Sequence, residues 1–256
     1  MAARARENRA GIYRLLRVIS IPLFFGAWEL VSRSGVVNEF LFPPPSVIAQ
    51  ALFDWGMHGQ LVLDIAMSVS RVVVGYIIGA TAGVAVGIAT ARYPALSSLL
   101  TPVFQILRPI PPIALVPIVI LWLGLNEPGK YFLILWAVFF TVWISAHLGV
   151  QRVDPLLIRA AQALGTPEHR MLRELLLPGA LPYIFVGLRT SLSVAFYTLV
   201  AAELAGAFAG VAYRIDIAHE NLRIGLMMAG LVVLGVISAC LDLAFEGWAR
   251  HAMKWR

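Results

Sequence analysis

Apolar residues run along this chain in blocks long enough to cross a bilayer, with short polar stretches between them. The blocks span roughly 18–31, 69–90, 96–123, 131–150, 181–209 and 224–245. A membrane-crossing helix needs about 20 mostly apolar residues, so the pattern predicts an all-α membrane protein of about six transmembrane helices. The first block is the shortest and carries Glu29, so it needs Leu15 and Leu16 or a tilt to reach across. No polar connection is long enough for a soluble domain, no repeat is apparent, and residues 1–256 read as a single transmembrane domain.

Within the blocks, small and ring-closed residues predict how the helices behave. Gly75, Gly79, Gly83 and Gly87 recur every four residues, lining one face of the second helix where another backbone can approach closely. The third block holds Pro102, Pro109, Pro111, Pro112 and Pro117. Each proline deletes a backbone hydrogen bond, so this block predicts a broken or kinked segment, tolerable in a membrane only against protein or a water-filled cavity. Arg108, Pro111 and Pro112 become candidates for lining a translocation path. After the first block, Pro43-Pro44-Pro45 makes a turn and Ser46 is expected to cap a short interfacial helix ending near Trp55.

The one long polar interruption, 151–182, predicts two short helices joined by a hairpin. Asp154 can cap the first helix, with Pro155 in its first turn. Gly165 can take the left-handed conformation that ends it. Thr166 and Pro167 repeat the cap-and-proline start, and Pro178 is expected to stop the second helix. Leu157, Ala160, Ala161 and Leu164 share one face of the first helix; Met171, Leu172, Leu175 and Leu176 share one face of the second. An amphipathic pair between two spans suits the docking of a soluble partner.

Ala160-Ala161, Gly165 and Pro178 stand at the spacing of the coupling ("EAA") loop of ABC-importer permeases. The likeness continues through Leu177-Pro-Gly-Ala-Leu-Pro-Tyr-Ile-Phe-Val-Gly-Leu-Arg189, with Phe42-Pro-Pro-Pro-Ser-Val-Ile-Ala-Gln-Ala-Leu52 and Leu107-Arg-Pro-Ile-Pro-Pro-Ile-Ala-Leu-Val-Pro-Ile-Val-Ile-Leu-Trp-Leu-Gly124 before it. From about residue 40 onward the chain resembles binding-protein-dependent permeases of the nitrate/sulfonate/taurine branch. The glutamate that names the loop is Arg159 here. The resemblance implies a type I ABC-importer permease fold with a cytoplasmic coupling hairpin. It also implies import of a small solute, an oxyanion such as nitrate, a sulfonate or taurine, with cargo identity left open. The expected partners are two cytoplasmic ABC ATPase subunits, a second permease copy or paralogue, an extracytoplasmic substrate-binding protein and membrane lipid. ATP and Mg belong to the ATPases, and this chain is expected to bind no cofactor or metal and to be no enzyme. Leu157, Arg159, Ala160, Ala161, Leu164, Gly165, Met171, Leu175 and Pro178 are the expected ATPase-coupling residues.

Composition agrees: 60% of residues are hydrophobic and 13% charged, too apolar for a soluble domain. The net charge of +6 raises nucleic acid as a partner, but its distribution excludes that. Taking the N-terminus as cytoplasmic, inside segments hold Arg4, Arg6, Arg9, Arg14, Arg17, Arg92, Arg152, Arg159, Arg170, Arg173, Arg250, Lys254 and Arg256, while outside segments hold Arg33, Lys130, Arg214 and Arg223. This positive-inside bias places both termini and the hairpin in the cytoplasm, and the resemblance implies a bacterial inner-membrane protein. The basic start has no signal-peptide cleavage site and is expected to be retained. Cys240, the single cysteine, reads as a small packing residue of the last span.

Catalytic patterns are missing. Gly124-Leu-Asn-Glu-Pro-Gly-Lys130 imitates a phosphate loop, but Tyr131 replaces the magnesium-binding hydroxyl and no strand precedes it. The five histidines have no metal-ligand spacing. Beside Glu29, the charges within the apolar blocks are Arg71, Arg108, Arg189, Glu203 and Asp242. Arg71 and Asp242 read as snorkelling anchors, Arg189 as steadying the coupling loop, and Glu203 as a pairing partner for an arginine of another span ahead of a path-lining acid. An ion-coupled secondary transporter is the alternative; it requires matching broken helices in two halves, and only the third block is broken.

Overall fold

A computed structural model describes residues 19–252, which are helical throughout apart from turns. The start of the first apolar block (Val18, Leu15, Leu16) and the terminal cations Arg4, Arg6, Arg9, Arg14, Arg17, Lys254 and Arg256 lie outside the described residues. The helices are α1 (19–33), α2 (Pro45–Met57), α3 (Gln60–Arg92), α4 (Pro94–Leu107), α5 (Pro112–Leu123), α6 (Glu127–Gln151), α7 (Pro155–Ala163), α8 (Glu168–Arg170), α9 (Leu177–Leu204), α10 (Val211–Glu220) and α11 (Ile224–Ala252). A π-helical stretch, Met171–Leu176, joins α8 to α9.

Among the described residues, four helices are long and apolar enough to span a membrane: Gln60–Arg92, Glu127–Gln151, Glu168–Leu204 and Ile224–His251. The pair α4 and α5 makes a fifth when taken as one span, and it is bent by 99°. Pro102 and Pro117 are absorbed inside these two helices. The break falls at Arg108–Pro111, where Pro109, Pro111 and Pro112 together remove the amides that would carry a helix across.

The chain forms two compact units. The first comprises the described residues up to Val62 with Arg214–Val232. There Glu29 of α1 accepts hydrogen bonds from the Ser46 amide (3.1 Å), the Ser46 hydroxyl (2.8 Å) and Arg33 Nε (2.6 Å). The expected Ser46 cap is thereby corrected. Pro44 is the N-cap of α2, and the Ser46 donors are met by Glu29. The acid that interrupts the first apolar block is used to tie α1 to α2.

The second unit comprises Leu63–Tyr213 with Val233 onward. Its core joins Val72 and Ala80 of α3, Ile134, Val138 and Val142 of α6, and Leu192, Ala195, Phe196 and Leu199 of α9. The glycine stripe of α3 lies against α6. A Cβ on Gly79 would stand 2.8 Å from the Leu135 carbonyl oxygen, and one on Gly87 would stand 2.6 Å from Ala146 Cβ. Two backbones at that separation exclude any side chain. Cys240 is exposed on α11, which corrects its reading as a packing residue of this chain.

Two charged clusters bind the second unit. Arg71 grips Glu127 with Nε and Nη2, both at 2.7 Å, while Nη1 donates to Glu203 (2.8 Å) and to the Ala209 carbonyl (2.6 Å). Lys130 Nζ donates to Glu127 (3.1 Å) and to the Leu125 carbonyl (3.0 Å). Arg71 is thus no snorkelling anchor: its side chain is 1% exposed. Glu203 is no path-lining acid. It also accepts from Ser68 Oγ (2.7 Å) and from the Ala212 amide (2.9 Å) at the start of α10, and it is sealed from solvent. At the other cluster Arg189 bridges Asp242 (2.8 Å) and Glu246 (2.9 Å), so Asp242 too is a paired residue and not an anchor.

Candidate coupling hairpin and the cavity at the broken span

Local chemistry shapes the first arm of the 151–182 stretch. Asp154 accepts the Leu156 amide at 2.8 Å and caps α7, with Pro155 in the first turn. Gly165 adopts φ +69°, the left-handed region. The Gly165 amide donates to Gln162 O and the Thr166 amide to Ala161 O, both at 3.0 Å, which is the paired bonding of a Schellman end. Nothing lies within 4 Å of a Cβ built on Gly165, so glycine is required there by the turn and not by crowding.

The second arm departs from expectation in two places. Its N-cap is Pro167, with no side-chain cap from Thr166. It also continues through Pro178 and Pro182 into one rod, Glu168–Leu204. The π-helical Met171–Leu176 explains how. The widened turn resets the hydrogen-bond register, so Pro178 falls within the first two positions of the new α-helical run, where its missing N–H costs nothing.

The two arms differ in burial. Met171 and Leu176 sit in a core cluster with Ala146, Val150, Val153, Ala180 and Ile184, and Leu172 and Leu175 pack onto it. Met171 is buried and supports the hairpin from beneath, a correction to its expected role as a contact residue, while Leu175 is half-buried against the cluster. Pro178 is half-buried in the same arm. Arg92, at the end of α3, forms an ion pair with Glu168 that ties the arm to the bundle; the sequence marks Arg92 only as an inside cation, because the fold alone brings the two together.

In contrast α7 has no buried residue. Leu156, Leu157 and Leu164 are exposed, Leu164 to 85%, and only Ile158 reaches the core cluster. Ala160 is exposed and Ala161 half-buried on the same helix. The Arg159 guanidinium is exposed and has no bonded partner among the described residues. The result is an apolar helix held out on a firmly anchored arm.

At the break between α4 and α5, Arg108, Pro109, Ile110, Pro111 and Pro112 line a cavity of about 350 Å³ together with Trp136, Phe140 and Thr141 of α6 and Val194 of α9. Of the expected path residues, Arg108, Pro111 and Pro112 are brought together here; Glu203 is not.

Residues 75–254 match the family described as binding-protein-dependent transport system inner membrane component. The chain belongs to this family. It is 33% identical over 245 residues to the taurine transport system permease protein TauC of Escherichia coli (strain K12), covering 94% of this chain and 89% of that protein. It is 31% identical over 245 residues to the putative aliphatic sulfonates transport permease protein SsuC of Bacillus subtilis (strain 168), covering 95% and 89%. It is 29% identical over 262 residues to the bicarbonate transport system permease protein CmpB of Synechocystis sp. (strain ATCC 27184 / PCC 6803 / Kazusa), covering 93% and 92%. In fold it is similar to a chain of the inward-facing MetNI methionine ABC transporter, with a TM-score of 0.65 at 19% identity over 78% of this chain and 99% of that one. The protein is accordingly a multi-pass transmembrane permease subunit of an ABC importer, and the reading as an ion-coupled secondary transporter falls away.

Proposed function

We propose that this permease works as one of a pair, with a second copy or a paralogue, on two cytoplasmic ATPases and an extracytoplasmic binding protein. Its cargo is a small solute that carries an oxyanion group, for which the taurine, sulfonate and bicarbonate labels of its relatives are the guide. Hydrolysis of ATP, with Mg, takes place on the ATPases, and this chain contributes no covalent chemistry. Both termini and the 154–178 hairpin face the cytoplasm. Nucleotide-driven closure of the ATPase pair moves α7, and the α8–α9 rod carries that motion into the bundle, biasing it between two access states.

The observation that carries this reading is the exposed leucine face of α7, joined to a second arm that Met171 and Leu176 anchor in the core. A helix of this kind is stabilised by a partner groove, with about 1.5–3 kcal/mol per leucine side chain fully covered. Arg159 stands on the same helix, so the groove that accepts it meets a cation where related loops carry an acid.

Substitution of Leu157→Glu or Ala161→Glu places an unpaired charge against that groove while leaving the core cluster untouched. Both variants should insert normally and lose co-purification of the ATPase by about tenfold or more, since each 1.4 kcal/mol is a factor of ten. Full transport with the ATPase still bound to Leu157→Glu would show that this face is not the docking surface.

A further inference from the structure

Six charges lie within the apolar blocks, and five of them are paired: Glu29 with Arg33, Arg71 with Glu127 and Glu203, and Arg189 with Asp242. Arg108 is the sixth. Its side chain is exposed and makes no hydrogen bond or ion pair among the described residues. A guanidinium at membrane depth needs water or a counter-charge, and a fold that pairs the other five within the chain leaves this one open.

Its place makes that informative. Arg108 stands at the 99° break between α4 and α5 and lines the cavity of about 350 Å³ with Pro111, Pro112, Thr141 and Phe140. That volume falls in the range that encloses small ligands. No carboxylate lines the cavity, so the local field is that of a single cation between apolar walls, which focuses an anion toward it. The positive end of the α5 dipole lies at the same wall, because Pro111 is its N-cap. Trp136 also borders the cavity, but its indole N–H is enclosed and unpaired, so Arg108 is the donor a ligand can reach.

We propose that Arg108 is the anion-binding group of a transit subsite in this cavity, holding the sulfonate or carboxylate-like oxygens of the cargo by paired N–H donation. This rests on the reading of the chain as an importer of small anions and assigns that activity a residue. Arg108 acts by selecting charge and slowing no chemistry, so its signature is discrimination between anions and cations of the same shape.

The test uses the assembled importer in nanodiscs of zwitterionic lipid, in a Cys240→Ala background with cysteine-free partners. Thr141→Cys places a thiol in the cavity wall. Its labelling is timed with 2-sulfonatoethyl methanethiosulfonate and with the trimethylammonium analogue. The sulfonate reagent should be favoured roughly tenfold more in the Arg108 protein than after Arg108→Gln, with Arg108→Lys keeping most of the preference. Should Arg108→Gln fail to assemble, raising salt on the unaltered Arg108 protein must erode the same preference. A rate ratio indifferent both to Arg108→Gln and to salt overturns the subsite. So does loss of the preference on adding phosphatidylglycerol, because the guanidinium would then be holding a lipid headgroup. Taurine uptake by the same assemblies, reconstituted into sealed vesicles of the same zwitterionic lipid, separates the two readings. Charge preference without taurine uptake keeps the subsite and removes taurine as cargo. Uptake equal in Arg108 and Arg108→Gln proteins, with no labelling preference, keeps the importer and removes the subsite.

Discussion

Glu203 lies in the run Val200-Ala-Ala-Glu-Leu-Ala-Gly206, where its surroundings in sequence are wholly apolar. In the fold it accepts from Ser68, Arg71 and the first amides of α10, so one carboxylate joins three helices. Removing one partner of a buried pair leaves a stranded charge and costs about 3–5 kcal/mol. Glu203→Leu should therefore lower the thermal midpoint of the purified protein more than Arg71→Met combined with Glu203→Leu, which removes both charges. Glu203→Gln should sit between them, since it keeps the shape and loses only the ion pairing. Equal midpoints for Glu203→Leu and the parent protein would show that this cluster is not a structural tie. That a charge within the block would be paired was legible from the sequence. Which arginine it meets was not, because Ser68 and Arg71 are more than 130 residues away along the chain.

At the scale of elements, α3 and α6 show how spacing and packing divide the work. Glycines four residues apart predict a smooth helix face, and the face meets α6 at a backbone-to-backbone distance that no larger residue permits. A Cβ on Gly83 would stand 2.9 Å from the Phe139 carbonyl oxygen and from Val142 Cβ. Gly83→Leu should therefore yield little monodisperse protein by size-exclusion chromatography. Gly235, on α11, meets nothing within 4 Å, so Gly235→Ala should fold as well as the parent or gain up to about 1 kcal/mol from helix propensity. Equal yields for Gly83→Leu and Gly235→Ala would refute the packing role. The hairpin makes the complementary point. Asp154, Pro155 and Gly165 announce their turn locally. The run-through at Pro178 could not be foreseen, because a π-helical stretch has no residue signature of its own and forms here where Met171 and Leu176 are drawn into the core.

For the whole molecule, the distribution of cations predicts which side each loop occupies. Glu168 opens α8 and Asn126 caps α6, in segments assigned to opposite faces. In the Cys240→Ala background, an impermeant thiol reagent applied outside intact cells should label Asn126→Cys and spare Glu168→Cys. Labelling of both from outside would overturn the cytoplasmic placement of the hairpin and of the termini.

From the sequence alone came the all-helical membrane character, the broken third span, the glycine face and the shape of α7, because each is a local consequence of hydropathy, backbone chemistry or spacing over a few residues. The tertiary structure decided what those local features are for. It drew Met171 and Leu176 of the second arm into the core and left the first arm exposed. It paired Arg71 with Glu127 and Glu203, tied Arg92 to Glu168, and left Arg108 open at the bend. A charge's energy in an apolar setting is set by what lies within a few ångströms of it, and in this chain the partners of Arg71 and Arg189 come from residues more than 50 positions away in sequence.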